Sequence, residues 1–130
     1  MGESKHDILR LLGPEILPKT VFVPGGQAFE KVERAIVEAG IDFPLIAKPD
    51  VGERGFLVKK ISSAEALKEY LLRYSVDFIL QEFLAHPMEM TVLYHRFPDS
   101  RRFGITSVCI KEFLSVTGDG SSSVRRLMQK

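Results

Sequence analysis

A chain of 130 residues can hold one domain, or two small subdomains that share a core. Its 45% hydrophobic and 27% charged residues are ordinary for a globular protein in water, and 18 Lys+Arg against 17 Asp+Glu leave a net charge of +1. That balance supplies no basic face for nucleic acid, no apolar stretch nears the about 18 residues of a membrane span, and the polar start MGESKHD has no secretory apolar core, so a cytoplasmic setting is the expectation.

Residues 4–12 predict a short helix with Ile8, Leu9, Leu11 and Leu12 as apolar positions, ended by Gly13-Pro14. TVFV (residues 20–23) reads as a strand closed by Pro24-Gly25-Gly26. The segment 27–39 is an amphipathic helix: Phe29, Val32, Ile36 and Ala39 share a face, Glu30, Glu33 and Arg34 point away, and Gly40 is placed to cap it. PLIAKP and FLVKKI follow as two strands joined by a loop over residues 50–55. A second helix is predicted from Ser62, with Ser62 and Glu65 as a capping box and Leu67, Tyr70, Leu71 and Tyr74 as its buried stripe.

DFILQEF is a further strand. In MEMTVLYH the side chains alternate, Met88, Met90, Val92 and Tyr94 against Glu89, Thr91 and Leu93. Residues 102–116 predict one or two more strands, TGDG a turn, and residues 121–130 the start of a helix with Ser121 or Ser122 as its cap. Because the chain stops inside that helical pattern, a truncated domain is expected. Adjacent strands with few crossover helices favour an α+β fold with an antiparallel sheet. The single cysteine, Cys109, excludes an internal disulfide and a zinc knuckle, and its apolar run predicts a buried, inert thiol. His6, His86 and His95 lack metal-ligand spacing.

Three stretches could carry chemistry. In FPLIAKPDVGERGFLVKK, Lys48 ends an apolar strand, and Gly52 and Gly55 would let backbone N–H groups approach anionic oxygens. A plain hairpin with a surface lysine accounts for the same residues, and no GxxxxGK[ST] loop occurs. In LQEFLAHPMEMTV, backbone groups at Gln81-Glu82 could pair with an adenine edge beside the apolar Phe83, Leu84 and Ala85. Glu89, seven residues past Glu82, could accept two ribose hydroxyls or could simply be the wet side of a strand. VTGDGSSSVRRL is either a capped helix start or an anion-binding loop. Arg96, Arg101 and Arg102 in RFPDSRR read as a charged hairpin tip or as cleft cations.

In this order and spacing the three stretches resemble the ATP-grasp superfamily, carboxylate–amine ligase type. Its pattern is P-[apolar]-[apolar]-x-K-P, a glycine-rich loop, QE followed by an aromatic or apolar residue, and an acid seven residues on. Here these are Pro44 to Lys48-Pro49, Gly52 with Gly55, Gln81-Glu82-Phe83, and Glu89. GDGSSSVRRL is similar to the GDG segment of the cyanophycin-synthetase and bifunctional glutathione-synthetase branches, while the D-alanine–D-alanine ligases share only the upstream elements. Lys5 ahead of Leu17-Pro18 matches the entry of such ligases.

The resemblance implies the front half of an ATP-grasp fold: a connecting helix and linker over 1–19, a lid subdomain of antiparallel sheet and two packed helices over 20–85, and the first strands of a second subdomain over 86–130. It implies that Lys48, with Lys5, meets the ATP phosphates and that Gly52, Glu53, Arg54 and Gly55 form a flap over them. The backbone of Glu82, Phe83, Leu84 and Ala85 would hold adenine, and Glu89 the ribose. The D…E-x-N magnesium set of the family does not follow, so Mg²⁺ is expected only in a longer protein, and this portion should not turn over alone. The partners implied are nucleotide and small carboxylate and amine substrates, with no nucleic acid and no membrane. A catalytically silent nucleotide-binding or regulatory module, and a carboxylase-type subunit of the same fold, are the competing expectations.

Overall fold

The computed structural model describes residues 3–112 and 115–129, and the chain divides into two units, Met1–Ala85 and His86–Lys130. The first unit opens with a short helix, α1 (Lys5–Leu9), and a 3₁₀ turn at Pro14–Ile16. Strand β1 (Thr20–Val23), helix α2 (Phe29–Glu38), strands β2 (Leu45–Pro49) and β3 (Lys59–Ile61), helix α3 (Ala64–Arg73) and strand β4 (Phe78–Glu82) follow. The four strands form one sheet in the order β1-β4-β2-β3, every neighbouring pair antiparallel.

Alternation decides which sheet face is inside. Along β2, Leu45, Ala47 and Pro49 are buried, whereas Ile46 and Lys48 stay half-buried on the other face. The inner face (Val23, Leu45, Ala47, Ile61, Phe78, Leu80) packs in one cluster with Val32 and Ile36 of α2 and Leu67 and Tyr70 of α3. Burying each large aliphatic side chain there contributes about 1.5–3 kcal/mol. Along β4, which lies between β1 and β2, Phe78 to Gln81 are all buried, in keeping with its unbroken apolar run FIL.

The predicted stripe of α2 is the observed one. Its end is a Schellman motif: Ile41 N–H donates to Ile36 O (2.9 Å) and Gly40 N–H to Val37 O (3.0 Å), with Gly40 at φ +64°. Helix α3 starts one residue later than expected. Ser63, not Ser62, is its cap, its hydroxyl accepting the Ala66 N–H, and the hydrogen bond from Ser63 holds the Glu65 carboxyl below its ordinary pKa. FLVKKI is a strand only over Lys59–Ile61. Residues 53–58 turn instead, through Phe56 N–H to Glu53 O and Val58 N–H to Gly55 O, because Arg54 and Leu57 adopt φ +55°. Helix α1 is also shorter than 4–12: the Arg10 N–H still reaches His6 O, and beyond it only i→i+3 turns continue to Leu12.

In the second unit, β5 (Met90–Arg96) and β6 (Phe103–Ile110) pair antiparallel with a bulge at Leu93/Tyr94. The Arg96–Arg102 tip is a hairpin turn, closed by Phe97 N–H to Arg102 O at 3.0 Å. Both faces of this ribbon are exposed, so the expected half-buried alternation is absent and Cys109, predicted buried, is exposed. A two-stranded ribbon has no layer to bury either face. The strand expected across 102–116 stops at Ile110, and residues 113–114 lie outside the described residues. The last helix, α4 (Val124–Leu127), is capped by Ser123 rather than Ser121 or Ser122, whose N–H groups both go to Asp119 Oδ1.

Candidate functional site

Lys48 stands on the sheet face opposite α2 and α3. Its ammonium donates to Gln81 Oε1 at 2.6 Å; Gln81 Nε2 donates to Thr20 Oγ1 at 2.8 Å; Thr20 Oγ1 donates to Pro18 O at 2.8 Å. This relay crosses β2, β4 and β1. Gln81 is buried yet satisfied at both ends of its amide, which fixes the amide orientation and gives Lys48 a defined position. Ile79, the register partner of both Lys48 and Phe22, is fully buried between them.

The glycine loop begins at the next buried polar residue, Asp50. Its N–H donates to Asp77 O at 2.9 Å, and its carboxylate Oδ1 accepts the His6 N–H at 2.8 Å. Lys5 closes the same corner: its N–H donates to Asp50 O (3.0 Å), and its ammonium to Asp50 O (3.1 Å) and Gly52 O (2.7 Å). The first turn of α1 is thus anchored to the root of the loop. A cationic side chain is held against backbone oxygens there.

Beyond Gly52 the loop is open. Gly52 and Gly55 take φ +147° and +76°; a Cβ on Gly55 would meet nothing within 4 Å, and one on Gly52 only Pro49 Cβ at 3.8 Å. Both glycines are therefore required for backbone conformation, not for a close internal contact. Glu53 and Arg54 pair at 3.8 Å with side chains more than four-fifths exposed, an ion pair of little energetic weight.

At the end of β4, Glu82 and Lys19 bond reciprocally: Glu82 N–H to Lys19 O at 3.0 Å, and Lys19 N–H to Glu82 Oε1 at 2.8 Å. Phe83, Leu84 and Ala85 follow as exposed residues, and the Lys60 ammonium lies 3.7 Å from the Phe83 ring centroid. Lys5, Lys48, the 52–55 loop and residues 82–85 are thus all in the first unit. Glu89 belongs to the second. Its two carboxylate oxygens each accept from Lys111 Nζ at 2.9 Å, and its carbonyl accepts the Lys111 N–H at 2.8 Å. Asp119 caps the turn after Gly118, and Gly120 takes φ +77°.

Sequence reasoning missed Asp50, Thr20 and the side-chain role of Gln81. Thr20 and Gln81 are register partners, so knowing the β1–β4 pairing would have placed both on the Lys48 face. Asp50 carried a weaker signal, a carboxylate directly after Lys-Pro. Among the described residues no group of three or more His, Cys, Asp or Glu converges to hold a metal ion, and no helix is long and apolar enough to cross a membrane. No family model and no curated protein matches the chain.

Proposed function

We propose that the chain is the ATP-binding portion of an ATP-grasp ligase, which activates a carboxylate as an acyl phosphate for attack by an amine. Bound ATP would supply the phosphoryl group for that activation. In this reading Lys48 and Lys5 meet phosphate oxygens, the 52–55 loop covers them, and the backbone of 82–85 with the Phe83 ring holds adenine. Glu89 enters through its spacing from Glu82 alone.

The observation that carries the reading is the placement of Lys5. Its ammonium bonds Gly52 O at the root of an exposed glycine loop, while Lys48 lies one residue from the end of the strand that feeds the same loop. Both ammoniums already bond neutral oxygens, and a phosphate oxygen offers each a stronger, charge-assisted acceptor. The residues present therefore fit a polyphosphate. The described residues do not form a magnesium site.

Trypsin tests the flap directly, because the Arg54 side chain is exposed. A millimolar non-hydrolysable ATP analogue should slow cleavage after Arg54 several-fold while cleavage after Arg101 and Arg102 keeps its rate. Unchanged cleavage at Arg54 would remove the loop from the nucleotide site.

A further inference from the structure

We infer that the first unit carries a ligand site apart from the glycine loop, suited to a small organic carboxylate with an aromatic or branched aliphatic body. A cavity of about 360 Å³ opens between α1, the 3₁₀ turn and β1. That lies within the about 300–1,000 Å³ of small-molecule pockets. Leu9, Leu17 and Pro18 form its apolar wall together with the stacked rings of His6 and Phe22, whose centroids are 4.4 Å apart.

The charged part of the lining is cationic. Arg10 and Lys19 both line the cavity, and no acidic residue does. The Lys19 ammonium is turned to Gly40 O at 2.7 Å. The Arg10 guanidinium, by contrast, makes no hydrogen bond or ion pair among the described residues. One uncommitted guanidinium beside apolar walls matches one negative charge. A carboxylate fits that count, and its two oxygens suit the planar fork; a phosphate monoester brings closer to two charges.

The wall is preformed even though α1 is short. Its first turn is tied to the sheet through the Lys5 and His6 N–H groups, which donate to Asp50 O and Oδ1 at 3.0 and 2.8 Å. A preformed wall spares the ligand part of the ordering cost of binding. This site does not rest on the nucleotide reading and shares neither Lys48 nor the glycine loop with it.

The test uses amide spectra of the whole chain titrated with 3-phenylpropanoate and with the uncharged 3-phenylpropanamide of the same shape. The carboxylate should shift His6, Leu17, Thr20 and Phe22 saturably. The amide should bind about tenfold or more weakly, the expected value of one charge-assisted contact. Arg10→Gln should abolish that preference while the α2 and α3 amides keep their positions, showing that the variant is folded. Equal binding of acid and amide, no saturable shift, or a preference that survives Arg10→Gln would each overturn the site. Shifts centred on residues 48–55 would place the anion at the glycine loop and overturn it too.

Discussion

The Lys48 ammonium lies 2.6 Å from Gln81 Oε1, a side-chain bond added to the backbone pairing between the strand feeding the glycine loop and its neighbour β4. Gln81 in turn is held by Thr20, so Lys48 is positioned by a relay across three strands and not by its own four-carbon stem. A lysine so placed spends little conformational entropy on meeting an anion.

Gln81→Leu should separate positioning from charge. Removing the acceptor leaves the ammonium in place but loosely held, so affinity for an ATP analogue should fall only a few-fold. Lys48→Met should lower it about tenfold or more, since it removes a charge-assisted contact. An affinity unchanged by Gln81→Leu, measured by isothermal titration, would show that the relay has no positioning role.

Asp50→Ala should release α1 without unfolding the sheet. The buried carboxylate accepts the His6 N–H, and losing such a cap costs about 1–2 kcal/mol. Hydrogen exchange at His6 and Asp7 should quicken while Leu80 and Ile36 stay protected. Uniform quickening across both regions would mean that Asp50 supports the whole core.

Tyr70→Phe should change the alkaline limb of stability. Burial, reinforced by nearby Tyr74, pushes the Tyr70 hydroxyl above its ordinary pKa, and the hydroxyl donates to Leu57 O at 3.0 Å. Below the unfolded value of about 10 this stabilisation is present in full. It is lost as pH rises from there through the raised folded pKa, because the unfolded chain ionises first. Denaturant melts should show Tyr70→Phe about 0.5–1.5 kcal/mol less stable near pH 8, with a shallower decline above pH 10 than the parent. Parallel declines would contradict the assignment.

Gly40→Ala should cost about 1 kcal/mol, because φ +64° strains any Cβ and the new methyl would lie 3.3 Å from Lys19 Nζ. Asn at the same position, which tolerates this region, should recover part of the loss.

What could be read from the chain alone was whatever local pattern controls. The α2 stripe and Gly40 were legible because 3.6-residue spacing and a left-handed cap are written within a dozen residues. Strand β2 was legible as the apolar run PLIAKP, but its buried alternation was not, because Ile46 is as apolar as its neighbours. Strand β3 was over-read, since FLVKKI satisfies strand propensity and nothing local announces that Leu57 takes a positive φ. Cys109 was misjudged because an apolar run reports a tendency to be covered, while actual burial depends on a second layer. At the site, Lys48 and the glycines were visible as motif positions. Their partners Gln81, Thr20 and Asp50 depend on pairings more than thirty residues apart in sequence, which periodicity does not encode.

Binding of ATP by the first unit through Lys48 and the glycine loop, as proposed, is open to measurement. Its most direct measurement is a chemical-shift titration of the chain with a non-hydrolysable ATP analogue, run in parallel on Lys48→Met. Saturable shifts are expected at residues 48–55 and 82–85, lost or strongly weakened in the variant while the α2 and α3 amides stay in place. Absence of shifts at millimolar analogue, or the same affinity in Lys48→Met, would contradict it.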